Sequence, residues 1–363
     1  MTRWIVPFLL AAAYACGLRM REARGQAGLT QAELPPGQAA GAALLGGFRG
    51  LYVDYLWCRV EGQFMEAKPP LHEIPGTYRL IGQLQPRYPE LWIYTSFRLA
   101  LDAAAVAPDR SQESDWTWTR RGIDHLKEGL LLNPSSAKLK FSLAELYHRR
   151  CAPHWSAPHG DYARQQLLKE RGEDAYERAV TLIHEIRGDP ETLPSWLGTA
   201  VHVRAAQALE ARTPEEEDLH LAQMAEEHLW IIRLYEDPAP SNRWIRENPA
   251  FYREQATYLR RDKLEVLSSQ REALRLEAAG KPGEAERLWM TLMRRALLNT
   301  LRPDPLSEKH LRAMGSLART YAALADEFEQ LSHQQDPQPR QRLESLVRTL
   351  REEAGRSGKD PHA

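Results

Sequence analysis

Charge of one sign, paired cysteines, strand-like alternation and catalytic signatures are all scarce in this sequence, and each scarcity excludes something. Lys and Arg number 48 against 49 Asp and Glu, a net charge of −1. No basic surplus exists to neutralise phosphates, so no nucleic-acid partner is expected. Cysteine occurs three times, as Cys16, Cys58 and Cys151. No CxxC spacing occurs, which removes zinc ribbons and thioredoxin-like redox motifs. Three thiols in 363 residues make no disulfide framework. G-x-S-x-G, G-x-G-x-x-G, H-E-x-x-H and the P-loop are also missing. Neither an enzymatic activity nor a cofactor is expected.

Long apolar runs are equally rare, and the one at the start is short. Trp4–Leu18 is interrupted only by Pro7, with Arg3 before it and Arg19, Arg21 and Arg24 after it. A spanning helix needs ~20 residues, so the run fits the apolar part of a secretory signal. Ala13-Tyr14-Ala15 would place cleavage before Cys16. Three readings stay open: a cleaved signal, a lipoprotein signal with Cys16 acylated, and a retained signal anchor with snorkelling arginines. Residues 1–24 are accordingly expected to be a signal or membrane anchor, and the Gly-, Gln- and Pro-rich residues 25–41 a linker. The body is expected to be membrane-associated and extracytoplasmic, although the flanking arginines leave the side open.

What is present in quantity is helix. Apolar residues reach 43% and charged residues 27%, interspersed as on helices with solvated faces. Turn signals at Pro69-Pro70, Pro86–Pro89, Asn133-Pro134, Pro153–Gly160, Gly188–Pro190, Pro238–Pro240 and Gly280–Gly283 punctuate the chain. They divide it into about a dozen helices in antiparallel pairs. An all-α fold follows.

Such regularity invites a search for repeats. Gly122, Leu126, Gly129 and Pro134 alternate small and large residues and then stop the helix; Leu143, Ala144 and Tyr147 follow in register. Trp92 falls six residues after Pro86. Ala273, Leu276, Gly280, Ala285, Trp289 and Leu292 give a third match, with Gly280–Ala285 as an inter-helix turn, and Ala222, Ala225, Leu229, Ile232 and Pro238 a weaker one. Small residues where paired helices approach, large ones in the gaps and Pro at the end resemble the tetratricopeptide repeat. That resemblance covers residues 70–300, with insertions at 104–117 and 149–172. The order Gly46-Gly47-Phe48-Arg49-Gly50, Asp54, Leu56-Trp57, Leu84-Gln85-Pro86, Trp92, Trp116–Gly122 and Asn133-Pro134 also resembles a group of bacterial membrane-anchored proteins with divergent repeats of this type and no established activity.

The resemblance implies an α-solenoid of antiparallel helical hairpins over 42–303, capped by helices over 304–354, with a disordered tail at 355–363. A single helix over 306–332 should carry the stripe Leu311, Met314, Ala318, Tyr321, Ala325 and Phe328. It serves either as a cap or as a coiled-coil seam. The implied role is a membrane-associated scaffold that binds a protein or peptide partner in a bacterial envelope complex. Trp92, Tyr94, Arg98 and Tyr147, on first helices of repeats, are the partner-binding candidates, with core packing as the competing role of each.

One cluster admits chemistry. Cys151, His154, His159 and Asp161 supply a thiolate, two imidazoles and a carboxylate within eleven residues of loop, enough for a tetrahedral metal ion or an enzymatic role. The spacing matches no zinc signature, and Asp161 suits the start of the next helix equally well. Cys58 reads as core. The acids Glu215–Asp218, after Thr213-Pro214, read as a helix start complementing the dipole. The glycines at 46–50 read as close helix packing rather than a phosphate cradle.

Overall fold

The computed structural model describes residues 48–66, 69–151, 159–333 and 337–357. The expected anchor and linker, Cys16 and His154 lie outside them. No strand occurs among the described residues, so the all-α expectation holds. No helix among them is long and apolar enough to cross a membrane. The chain forms two compact units, Met1–Arg187 and Gly188–Ala363. The division falls inside the stretch expected to be one continuous array.

In the first unit α1 (Arg49–Phe64) leads to α2 (Ile74–Leu84) and α3 (Pro89–Phe97). Helix α3 continues through π-helical turns (Arg98–Ala103) into a last α-turn (Ala104–Val106). Then come α4 (Gln112–Leu132), α5 (Ala137–Cys151), α6 (His159–Arg171) and α7 (Ala175–Glu185). Prolines set several starts: Pro75 and Pro89 sit in first turns, where a missing N–H costs nothing. The Ser111 and Asp174 side chains cap α4 and α7 by accepting backbone N–H bonds. Helix α3 packs against α4 and α5, α4 against α6, and α5 against α6 and α7. The stretch 149–172, expected as an insertion, thus contains a regular packed helix.

The glycines of the repeat pattern are explained by what they touch. A Cβ on Gly122 would stand 2.7 Å from the Ser96 carbonyl oxygen, and one on Gly129 2.6 Å from Trp92 Cγ. A Cβ on Gly82 would meet the other end of the same indole, 2.6 Å from Cη2. Trp92 is thereby slotted between α2 and α4. Its Nε1 donates to the Pro86 carbonyl at 3.1 Å, and the Asn133 amide donates to that same oxygen at 2.7 Å. Two turn signals 47 residues apart meet at one carbonyl.

The second unit holds α8 (Pro194–Glu210), α9 (Pro214–Glu236), α10 (Arg243–Glu247) and α11 (Pro249–Tyr258), the last extended by π-helical turns (Leu259–Leu264). It continues with α12 (Glu265–Ala278), α13 (Pro282–Thr300), α14 (Pro305–Ala313), α15 (Leu317–Ser332) and α16 (Pro337–Ser357). Hairpins α8–α9, α12–α13 and α15–α16 are its main pairs. Of the turn expected at Gly280–Ala285, Gly280 and Lys281 lie between the helices and Pro282 onward is already α13. Gly280 takes φ +71° and the Lys281 N–H closes on the Leu276 carbonyl at 2.9 Å, ending α12.

Four expectations need correction. The helix over 306–332 is two, because Gly315 at φ +67° and the Ser316 N–H bonded to the Leu311 carbonyl break it. The part of its stripe on α15 is covered within the chain by Leu346, Val347 and Leu350 of α16. Helix α16 runs to Ser357, into the stretch expected as tail. Cys58 is exposed, because the buried stripe of α1 is Val53, Leu56 and Val60, and position 58 lies off it. Gly50 has nothing within 4 Å of a built Cβ, so close packing does not account for it.

Candidate functional site

The four partner-binding candidates separate cleanly. Trp92 and Tyr147 are core: Trp92 is the peg described above, and Tyr147 donates from its hydroxyl to Glu173 Oε2 at 2.9 Å. Lys127 reaches the same carboxylate at 2.9 Å. Burial, then the Glu173 charge, holds the Tyr147 phenol above its ordinary range. Tyr94 and Arg98 reach the surface.

Arg98 opens the π-helical turns of α3 and is half-buried. Its guanidinium donates to Asp102 Oδ2 at 2.6 Å and to Glu61 Oε2 at 2.7 Å, tying α3 to α1. It lies 4.4 Å from the Phe64 ring centroid and 5.9 Å from that of Tyr94. Tyr94 packs on Trp57 at 5.0 Å, donates to Glu61 Oε1 at 3.4 Å and keeps 43% of its surface exposed. Trp57 in turn meets Tyr78, whose phenol burial, then Glu61, pushes up. The group is a fixed arginine in an aromatic and carboxylate frame, with one tyrosine edge presented to solvent. Such an arrangement leaves the arginine little rotamer freedom to lose.

Of the second candidate cluster, Cys151, His159 and Asp161 fall among the described residues. Cys151 is fully buried, and desolvation pushes its thiol up to about 12, so it stays protonated at neutral pH. His159 is turned to Asp115 at 3.6 Å, and Arg150 pairs with that same carboxylate. Asp161 stands exposed in the first turn of α6. No group of three His, Cys, Asp or Glu side chains placed to hold a metal occurs among the described residues. The two described thiols therefore differ in reactivity. In the dilute native full chain a maleimide is expected to label Cys58 and to leave Cys151 unlabelled until denaturant is added. Peptide mapping after brief labelling checks this, and modification of Cys151 at a rate like that of Cys58 would contradict its burial.

The second unit contains a buried ionic group that sequence reasoning passed over. Thr213 caps α9 and Pro214 opens it, as expected. Glu217, however, is buried, not a solvated complement to the dipole. Its Oε1 meets His310 Nε2 at 2.7 Å and its Oε2 meets Lys309 Nζ at 2.5 Å. The other ring nitrogen, Nδ1, sits 3.0 Å from Glu277 Oε1. Trp289 stacks on the imidazole at 4.5 Å and donates from Nε1 to Glu277 at 2.5 Å. Burial opposes the imidazolium, yet the two carboxylates overcome it and raise the His310 pKa to about 9. Both ring nitrogens are engaged, so the group joins α9, α12, α13 and α14 as a charged staple. The available signal was helical phase: Glu217 lies four residues before buried Leu221.

No family model matches this chain, and no curated protein or solved structure matches it either.

Proposed function

We propose that this chain is a membrane-associated scaffold of tetratricopeptide-like helical hairpins. It holds a protein or peptide partner of a bacterial envelope complex and works by binding, without chemistry. The observation that carries the reading is the next-but-one packing of α3 on α5, α4 on α6 and α5 on α7. A stack of hairpins packs in that way, and it presents successive first helices on one side, where partners are held. Supporting it, Gly122 and Gly129 stand where a Cβ would clash with Ser96 and Trp92 of the paired helix, in keeping with the small positions of the repeat pattern. The Arg98 frame with the exposed Tyr94 edge supplies the residue types that anchor interfaces. The N-terminal run Trp4–Leu18 would hold the body to the membrane, on its extracytoplasmic side.

Crosslinking pull-down of the tagged full chain from its own membranes tests this. A partner is expected to be recovered and then depleted at least about tenfold by Tyr94→Ala, since anchor tyrosines are worth more than ~1.4 kcal/mol. Tyr94 is surface-exposed, so circular dichroism should be unchanged. A partner held equally by the variant would move the contact elsewhere. Recovery of no envelope protein in any preparation would defeat the scaffold reading.

A further inference from the structure

Helix α1 carries two apolar faces, and only one is used. Val53, Leu56 and Val60 are buried in the first unit. On the opposite side Phe48, Leu51, Tyr55, Cys58, Gly62 and Met65 recur at intervals of 3, 4, 3, 4 and 3 residues, Phe48 and Met65 as the residues that flank the helix. All are exposed, Leu51 by 66%, Tyr55 by 59% and Met65 by 88%. A helix apolar on both sides is ordinarily covered on both. The alternation of threes and fours is the a and d pattern of a helix pair, narrower than a face that packs on a globular core. Phe48, Tyr55 and Gly62 take the a positions, and Leu51, Cys58 and Met65 the d positions.

The flanking charges select the occupant. Asp54 falls at g and Arg59 at e of the next heptad, the positions that pair across two parallel copies. Asp54 is exposed and makes no ion pair among the described residues. Arg59 has only a solvent-exposed bond to Glu73, at 2.9 Å, which is worth little. The other g acid, Glu61, shares the Arg98 guanidinium with Asp102, which lessens its clash with Glu66 of a second chain. An antiparallel pair would set the two g rows, both acidic, against each other. A lipid surface fits poorly, because Asp54, Glu61 and Glu66 flank the stripe where an interfacial helix carries Lys and Arg.

We infer that the outer face of α1 docks on the same face of a second copy of this chain, as a short parallel helix pair. The seam spans little more than two heptads and Gly62 leaves a gap in it, so association is weak and concentration-dependent. Membrane attachment would raise the local concentration, but the seam does not rest on the scaffold reading.

Cys58 makes the test direct, because a d residue faces its own copy across a parallel pair. Full-length Cys16→Ser protein is oxidised with copper–phenanthroline, which takes two electrons from two thiols as the disulfide forms and their protons pass to solvent. A reducible dimer is expected, absent in the Cys58→Ser chain, and light scattering should show mass rising with concentration. Leu51→Glu should cut dimer yield at least about tenfold, the effect of a charge in a seam that a few apolar contacts hold. Asp54→Arg and Arg59→Asp should each weaken the dimer and together restore it, a rescue that misfolding cannot produce. Monomeric mass at every concentration would overturn the inference. So would an intramolecular Cys16–Cys58 disulfide in the unmodified chain, which would assign the face to the chain's own N-terminal segment. Protection of Cys58 from maleimide only on phosphatidylglycerol vesicles would overturn it in favour of a lipid seat.

Discussion

Replacing Trp92 by alanine should destabilise the first unit by about 3–5 kcal/mol, the range for deleting a buried large aromatic. The side chain is fully buried, is pressed from both ends by Gly82 and Gly129, and satisfies the Pro86 carbonyl. Truncation leaves a void that these glycines, having no side chains, cannot fill. The converse substitution probes the same fit. A methyl on Gly129 would stand 2.6 Å from Trp92 Cγ, so Gly129→Ala should cost roughly 1–3 kcal/mol through overpacking. The two losses should not add, because removing the indole makes room for the methyl. Hydrogen exchange at the amides of α2, α3 and α4 measures both, and urea unfolding confirms the scale. A loss below ~1 kcal/mol for Trp92→Ala would mean that the peg is not what joins these helices.

The same residues show how far the sequence could be read. Gly122, Gly129, Pro134 and Trp92 were legible because their spacing is set by helix geometry, which the chain carries locally. The meeting of Pro86 and Asn133, 47 residues apart, was not legible, because local spacing does not say which turns come together. Position 315 was not legible, because glycine inside a periodic stripe fits a continuing helix as well as a positive-φ break. Tyr94 and Arg98 were named together with Trp92, yet which of them reaches the surface depends on which side of one helix meets α4, and residue type does not show that. Glu61 was missed for a related reason: its role exists only once α1 and α3 lie together. The residues at 151–161 are a further case: that the end of α5 buries the Cys151 thiol, that His159 meets Asp115 and that Asp161 stands exposed are facts of packing that residue type does not show.

The buried staple gives the second unit a pH dependence whose sign is fixed by geometry. His310 titrates near 9 in the folded chain, against ~6.5 when unfolded. Its contribution is therefore complete below pH ~6.5 and is lost as pH rises through about 9, to a total of about 3 kcal/mol. His228, buried on α9, runs the other way. Desolvation, with Lys263 nearby, lowers it to about 4, so the stability it lends is present above pH ~6.5 and lost as pH falls through 4. The Glu217 carboxylate adds to the acid limb. Burial resists its charge, but His310 and Lys309 hold its pKa below the ordinary carboxylate value. Stability of this unit should peak near pH 6–7. Glu217→Ala should cost it roughly 3–5 kcal/mol at pH 7, because the substitution strands Lys309 and one side of a buried imidazolium. Glu217→Gln should cost less, keeping a hydrogen bond to the ring. Melting temperatures of the full chain and of His310→Gln between pH 6 and 10 decide the matter. The unmodified chain should lose stability across that span, and the variant, with no proton to release, should lose little. Equal slopes would show that the proton leaves elsewhere and that the Glu217–His310–Glu277 group is not ionised as its contacts require.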